Sequence, residues 1–237
     1  MIDDQLPINN PPKQRVPWGV RDAWWGAASL LVWLSAAVGV GVVAYFLAWE
    51  INFSLFLAFG ELSLLIPVWW FVFRKYAVSW EMLGFRRVEG RVIAAGFGLL
   101  ALFYGFSFCY NLILLRFQLE GGQDLSPLLE QPQALPLIVF SAVIITPLVE
   151  EVFFRGFLFA GFREKYGWKI AAGISAAFFA LVHLQPLTAL PIFLLGYLFA
   201  YVYQRSNSLW LPILLHFSVN GFAFFLLGLA YLLESIG

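Results

Sequence analysis

Long, uninterrupted apolar runs limit what this chain can fold into more than any other feature. Most approach or exceed the roughly 18 to 25 residues that a helix needs to cross a membrane. Helices are expected because they satisfy their own backbone hydrogen bonds inside lipid. Seven runs can be marked, over residues 24–48, 52–73, 92–115, 134–162, 168–185, 187–204 and 209–233. The sequence therefore predicts an all-α, polytopic helical membrane protein with about seven transmembrane helices.

The composition favours one integral membrane domain over a soluble fold. Hydrophobic residues make up 62% of the chain and charged residues 12%, whereas soluble domains carry about 25% charged residues. We expect an N-terminal tail over 1–23, transmembrane helices and loops over 24–133, and a transmembrane core over 134–237. The formal net charge is +0, so nothing indicates that the chain binds nucleic acid.

The basic residues alternate between connections. They precede the first run and lie in every second connection after it, whereas the opposite connections are nearly free of lysine and arginine. The basic residues on this side are Lys13, Arg15, Arg21, Arg74, Lys75, Arg86, Arg87, Arg91, Arg163, Lys165, Lys169 and Arg205. Because cytoplasmic loops carry an excess of lysine and arginine, the pattern predicts a cytoplasmic N-terminus. A bacterial plasma membrane is the default location.

Several polar side chains interrupt the apolar runs. Ionisable residues inside a membrane span are costly, and by default each is a candidate functional residue. They are Glu61, Glu150, Glu151, Arg155, His183 and His216, with Asn220 as a polar companion. The chain has two histidines, and both lie in late runs beside a pair of glutamates. This combination favours a site over scattered structural residues.

Helical spacing predicts which of these side chains share a face. Glu151 and Arg155 are four residues apart and can form an ion pair. Glu150 is turned about 100° from Glu151, so we expect the two carboxylates to serve different centres. His216 and Asn220 share a face in the same way. So do Phe179 and His183, and the phenylalanine ring could therefore wall the histidine's pocket.

Three motifs in the second half resemble those of the CAAX protease and bacteriocin-processing family, also called the Abi family. The run from Glu150 to Arg155 matches EExxxR, the run from Phe179 to His183 matches FxxxH, and the run from His216 to Asn220 matches HxxxN. The motifs occur in the family's order, each inside an apolar run. The resemblance covers residues 134–233, so the core over 134–237 is expected to be the catalytic part.

The resemblance implies an intramembrane endopeptidase that uses a glutamate to activate water. The family includes the CAAX prenyl endopeptidase, which trims prenylated proteins, so a membrane-embedded or lipidated protein is the implied partner in the bilayer. Glu150 resembles the general base and His183 its partner, whereas His216 and Asn220 resemble the pair that stabilises the oxyanion. The remaining motif positions, Glu151, Arg155 and Phe179, are expected to support them. No cofactor is implied.

Other interpretations of the same residues stay open. Glu150, His183 and His216 are a plausible zinc set, although the HExxH helix motif is absent. A transporter could use the same acids, but the two halves show no repeat symmetry of the kind transporters commonly have. A membrane scaffold or immunity protein is a third possibility. Glu61 lies outside the motifs and could line the substrate cavity, pair with Arg155 or face a neighbouring helix.

Overall fold

The computed structural model describes residues 15–49, 53–119 and 133–236, and helices make up most of them. Part of the expected tail over 1–23 and of the connection near 120–132 lies outside the described residues. The α-helices are α1 (Val20–Phe46), α2 (Phe53–Ser63), α3 (Leu65–Val68), α4 (Gly90–Arg116), α5 (Leu135–Phe140), α6 (Thr146–Glu151), α7 (Ala160–Val182), α8 (Ala189–Ser206) and α9 (Trp210–Ile236). π-Helical segments cover Trp69–Arg74, Ser141–Ile145 and Val152–Phe159, and 3₁₀ turns cover Trp80–Leu83 and Pro186–Thr188.

Five helical stretches among the described residues are long and apolar enough to cross a membrane. They are Val20–Phe46, Gly90–Arg116, Leu135–Val182, Pro186–Ser206 and Trp210–Leu233. The chain is therefore an all-α polytopic membrane protein, as its apolar runs predict. The count of seven spans is not confirmed.

Two local features account for the difference in number. The run over 52–73 is broken near Leu64, whose N–H bonds to the Glu61 carbonyl three residues earlier, at 3.1 Å. Pro67 follows, and its ring removes the next helical donor. The runs over 134–162 and 168–185 instead lie within one stretch, Leu135–Val182. Gly167, at φ 74° and ψ 161°, is non-helical and divides this stretch into two helices that meet at a kink.

The core surrounds the π-helical segment Val152–Phe159, whose eight residues are all buried. α1, α7 and α8 pack around this segment, and α7 lies along α8. The two helices approach closely at Gly196, where an added Cβ would lie 3.1 Å from Phe179 and 3.2 Å from Ala176. The second half of the chain thus forms the centre of the bundle.

Large apolar side chains cover the outer faces of the long helices. Val32 on α1 is 70% exposed, Leu102 and Phe108 on α4 are 72% and 64% exposed, and Phe225 on α9 is 63% exposed. Water would make such a surface costly, whereas hydrocarbon would not. These faces are therefore the lipid-facing surface of the bundle.

A polar cluster joins α1 to the end of the π-helical segment Trp69–Arg74. The buried Asp22 carboxylate lies 2.6 Å from Lys75 Nζ and accepts a hydrogen bond from the Tyr76 hydroxyl at 2.7 Å. The hydrogen bond to Asp22 raises the pKa of Lys75. The cluster holds the start of α1 against the end of the helical segments that replace the run over 52–73.

Two glycines of the apolar runs are close-packing positions. A Cβ at Gly26 would overlap the ring of Phe157, and one at Gly96 would lie 3.1 Å from Leu211. Gly39 on the same helix as Gly26 has nothing within 4 Å of the position of an added Cβ. Gly26 therefore brings α1 against the central segment, and Gly39 does not.

This difference predicts opposite effects for the same substitution. Gly26→Ala should destabilise the protein by about 1–3 kcal/mol, because the new methyl group overpacks the core against Phe157. Gly39→Ala should leave stability unchanged or raise it by about 0.5–1 kcal/mol, because alanine is the better helix former. Melting temperatures in detergent would measure both. Equal melting temperatures for the two variants would contradict the close contact of α1 with the central segment.

Candidate active site

The candidate site residues come from four elements of the second half. α6 ends with Glu150 and Glu151, and the π-helical segment that follows carries Arg155. α7 ends immediately before His183, because Leu184 adopts a left-handed conformation with φ 52° and breaks the helix. α9 carries the His216–Asn220 motif. π-Helical turns are frequent at functional sites, and this one begins directly after the glutamate pair.

Arg155 and Glu151 form a fully buried ion pair. Arg155 Nη1 donates to Glu151 Oε1 at 2.8 Å, and neither side chain is exposed. Arg155 Nη2 donates to the Gly196 carbonyl of α8 at 2.9 Å. The guanidinium also lies 4.4 Å from the ring centroid of Phe179, within cation–π range. The ion pair that the four-residue spacing predicts is confirmed.

His216 lies between the two glutamates. Its Nδ1 is 3.0 Å from Glu151 Oε1, and its Nε2 is 3.7 Å from Glu150 Oε2. The expectation that the two carboxylates serve different centres is therefore wrong. The turn of about 100° between the two glutamates does not separate them into two centres. One imidazole lies between them, and each of its two nitrogens faces one carboxylate.

The contact with Glu151 fixes the orientation of His216. Glu151 Oε1 already accepts a hydrogen bond from Arg155, and an ionised carboxylate only accepts. The His216 Nδ1 must therefore donate, which directs Nε2 toward Glu150. A carboxylate that holds a histidine in one tautomer is a recurring arrangement in hydrolases. Glu151 thus positions His216 as well as pairing with Arg155.

His183 is fixed by its own helix. Its Nδ1 lies 2.7 Å from the Phe179 carbonyl oxygen. Because a carbonyl only accepts, Nδ1 donates, and Nε2 keeps its lone pair when the ring is neutral. The Phe179 ring lies 4.7 Å from the His183 ring and 5.8 Å from the His216 ring. Phe179 therefore contacts both histidines, and its predicted contact with His183 is confirmed.

Asn220 lies one helical turn beyond His216 on α9. Its Nδ2 donates to the Ala142 carbonyl at 2.8 Å, so one of its two N–H groups is used to join α9 to the π-helical segment Ser141–Ile145. Asn220 therefore has a bond that ties it to the helix leading into Glu150. The second N–H of the amide remains available to a substrate.

Glu61 joins the site from α2. The Thr146 side chain hydrogen-bonds to Glu61, and the Glu61 carboxylate interacts electrostatically with Glu150. Thr146 and Glu150 are four residues apart and lie on one face of α6. Arg155 is not the partner of Glu61, because it bonds to Glu151 and Gly196. Spacing within one helix could not reveal Thr146, because its partner lies on a different helix.

The burial of these residues changes across the site. Glu150, Glu151, Arg155 and His216 are buried. Glu61, Thr146, His183 and Asn220 are partly exposed. A substrate would therefore reach the buried glutamates from the side on which the partly exposed residues lie.

The zinc alternative requires Glu150, His183 and His216 to meet at one point. Among the described residues, no three His, Cys, Asp or Glu side chains converge closely enough to hold a metal ion. Glu150 and His216 approach each other, and the Nδ1 atoms of His183 and His216 donate to the Phe179 carbonyl and to Glu151, which leaves the Nε2 atom of each ring to face the site. The arrangement is that of hydrogen-bonded acid–base groups.

The fold and the site define a polytopic membrane protein with a glutamate–histidine site inside its spans. Residues 132–222 match the family described as type II CAAX prenyl endopeptidase Rce1-like. The protein YdiL of Bacillus subtilis, whose name describes it as a membrane peptidase, is 32% identical over 101 residues, which are 43% of this chain and 41% of that protein. The membrane-embedded CAAX protease MroQ of Staphylococcus aureus is 29% identical over 160 residues, which are 63% of this chain and 58% of that protein.

These matches agree with the family that the three motifs indicate. Residues 132–222, which match the CAAX prenyl endopeptidase model, contain all three motifs. The aligned parts span less than two thirds of the length of either relative. No solved structure matches the chain.

A double-mutant cycle tests the energetic role of the buried ion pair. Glu151→Met or Arg155→Met alone should each destabilise the protein by about 3–5 kcal/mol, because each strands a buried charge. Replacing both residues by methionine should recover part of that loss, because no lone charge remains. Activity should stay low in the double variant, because His216 loses the carboxylate that orients it. Melting temperatures in detergent give the cycle, and additive single losses would contradict the pairing.

Proposed function

We propose that this protein is an intramembrane endopeptidase that hydrolyses a peptide bond in a membrane-associated or lipidated protein. One observation carries the proposal. Glu150 Oε2 is buried and makes no hydrogen bond to any described residue, and it faces His216 Nε2 at 3.7 Å. A carboxylate oxygen with free lone pairs next to a histidine is suited to accept a proton. The match of residues 132–222 to the CAAX prenyl endopeptidase model supports the same reaction.

We assign Glu150 as the general base. The oxygen of a water molecule bonds to the carbon of the scissile carbonyl while one of its protons passes to Glu150. The carbon–nitrogen bond then breaks, the proton moves from Glu150 to the departing amine, and a carboxylic acid and an amine are released. We give Glu151 a positioning role instead, because Arg155 and His216 both bind its Oε1, although its Oε2 makes no hydrogen bond to a described residue.

We assign His183 as the second residue that orients the water. Its Nδ1 donates to the Phe179 carbonyl, so Nε2 can accept a hydrogen bond from the attacking water. The partly exposed position of His183 beside the buried glutamates suits a residue on the substrate's side of the site. Its ring also packs on Phe179, which limits its movement.

We assign His216 and Asn220 to the developing negative charge on the carbonyl oxygen. The second N–H of Asn220 can donate there, because the first is bound to Ala142. His216 donates through Nδ1 to Glu151, so it can donate through Nε2 only when both nitrogens carry protons. The assignment therefore requires doubly protonated His216. Preorganised donors of this kind are usually among the largest contributions to catalysis.

The substrate class follows from where the site lies. The glutamates are carried by helices that cross the membrane, so a peptide must approach from within or beside the bilayer. The relative MroQ is named a CAAX protease, and a lipidated C-terminus is the substrate we propose here. We also propose a cytoplasmic N-terminus, because the basic connections lie on one side of the predicted spans.

Glu150→Gln should abolish proteolysis while the protein still folds. Glutamine keeps the size of the side chain but cannot accept a proton, and losing a general base costs about 100- to 10,000-fold in turnover. His183→Ala should cost at least about 100-fold for the same reason. Glu164→Gln removes the same charge at an exposed position and serves as the control. The assay is cleavage of a lipidated reporter peptide by purified protein, and normal turnover by Glu150→Gln would refute the assignment.

Activity should also be independent of metal. Prolonged dialysis against a strong chelator should leave turnover unchanged, because no three metal-binding side chains among the described residues converge on one point. Elemental analysis of the purified protein should show no stoichiometric zinc. Activity that is lost on dialysis and restored by added zinc would instead support a metalloprotease built on Glu150, His183 and His216.

A further inference from the structure

A cavity lies away from the glutamate–histidine site, between the start of α4, the end of α8 and the start of α9. Its volume is about 550 Å³, within the range of about 300–1,000 Å³ typical of small-molecule sites. None of the motif residues lines it. The proposed peptidase reaction therefore leaves this cavity unexplained.

The rim of the cavity is positively charged. Arg87, Arg91 and Arg205 line it together with one acidic residue, Glu89. Glu89 is bound to Arg91 at 2.6 Å. No carboxylate in the described parts of the chain lies within ion-pair distance of Arg87 or Arg205. The rim thus presents two guanidinium groups that are free to bind an anion.

The walls of the cavity are apolar below this rim. Val92, Ala95 and Leu99 line it from α4, and Val202 and Leu211 line it from the facing helices. Leu99 lies eight residues beyond Arg91, so the cavity extends roughly 12 Å along α4 from its charged end. A ligand that fills it must therefore be anionic at one end and apolar at the other.

The position of the cavity identifies such a ligand. The arginines lie at the ends of membrane-spanning helices, where lipid headgroups lie, and the apolar wall continues toward the bilayer centre. All three belong to the basic side that is predicted to be cytoplasmic, and anionic lipids are enriched in the cytoplasmic leaflet. We propose that this cavity binds one anionic phospholipid, with its phosphate on Arg87 and Arg205 and an acyl chain along α4.

The test compares lipid binding by the full chain in nanodiscs. Wild-type protein in phosphatidylcholine nanodiscs containing phosphatidylglycerol should retain phosphatidylglycerol in native mass spectrometry and should melt at a higher temperature than in phosphatidylcholine alone. Arg87→Gln with Arg205→Gln should weaken this retention by about tenfold or more, because each basic residue strengthens binding to anionic lipid. Lys165→Gln with Lys169→Gln changes the charge of the same side equally and should have no such effect.

A second variant keeps the test independent of charge. Ala95→Trp fills the apolar wall and should also reduce retention of phosphatidylglycerol. Equal retention by wild type and the double arginine variant would overturn the proposal, as would an equal loss in the double lysine variant. If inorganic phosphate raised the melting temperature as much as phosphatidylglycerol does, the cavity would be a site for soluble anions, and the proposal would also be overturned. If the double arginine variant had a raised Michaelis constant for a peptide substrate and unchanged phosphatidylglycerol retention, the cavity would be a substrate groove. That result would also overturn the proposal.

Discussion

The buried guanidinium of Arg155 is the constraint on which the rest of the central bundle depends. A charge inside a membrane protein is stable only if its surroundings replace the hydration that it loses. Glu151 of α6 supplies the counter-charge, Gly196 of α8 supplies a carbonyl, and Phe179 of α7 supplies an aromatic face. His216 of α9 reaches the same cluster through Glu151. One arginine therefore holds four helices in a single arrangement.

This dependence joins stability to chemistry. Glu151 neutralises Arg155 and also directs the imidazole of His216 toward Glu150. The base we propose, Glu150, makes no such bond at Oε2 and faces His216 Nε2 at 3.7 Å. The two adjacent glutamates therefore differ at Oε1 of Glu151, which binds both Arg155 and His216, whereas the Oε2 atoms of both make no hydrogen bond to a described residue. Glu151 builds the site, and Glu150 keeps the capacity to accept a proton.

Much of this arrangement could be predicted from sequence, and the remainder depends on contacts between helices. The spacing of four residues was sufficient for the Glu151–Arg155 pair and for the Phe179–His183 contact. It was insufficient for His216, which spans both glutamates from another helix. The partner of Asn220 is a backbone carbonyl at Ala142, and a backbone carbonyl carries no sequence signal. The number of spans depended in part on a helix break near Leu64, which hydropathy does not register.

The π-helical turn after Glu151 also limits how the chain can vary in length. Its geometry accommodates an extra residue relative to an α-helix, and losing that residue would rotate the helix that follows, as far as the break at Gly167, by about 100° relative to the glutamates. Arg155 would then turn away from Glu151. Insertions and deletions between Glu150 and Gly167 should therefore be selected against, even where the side chains are interchangeable. An alignment that opens a gap there would superimpose residues that face different directions.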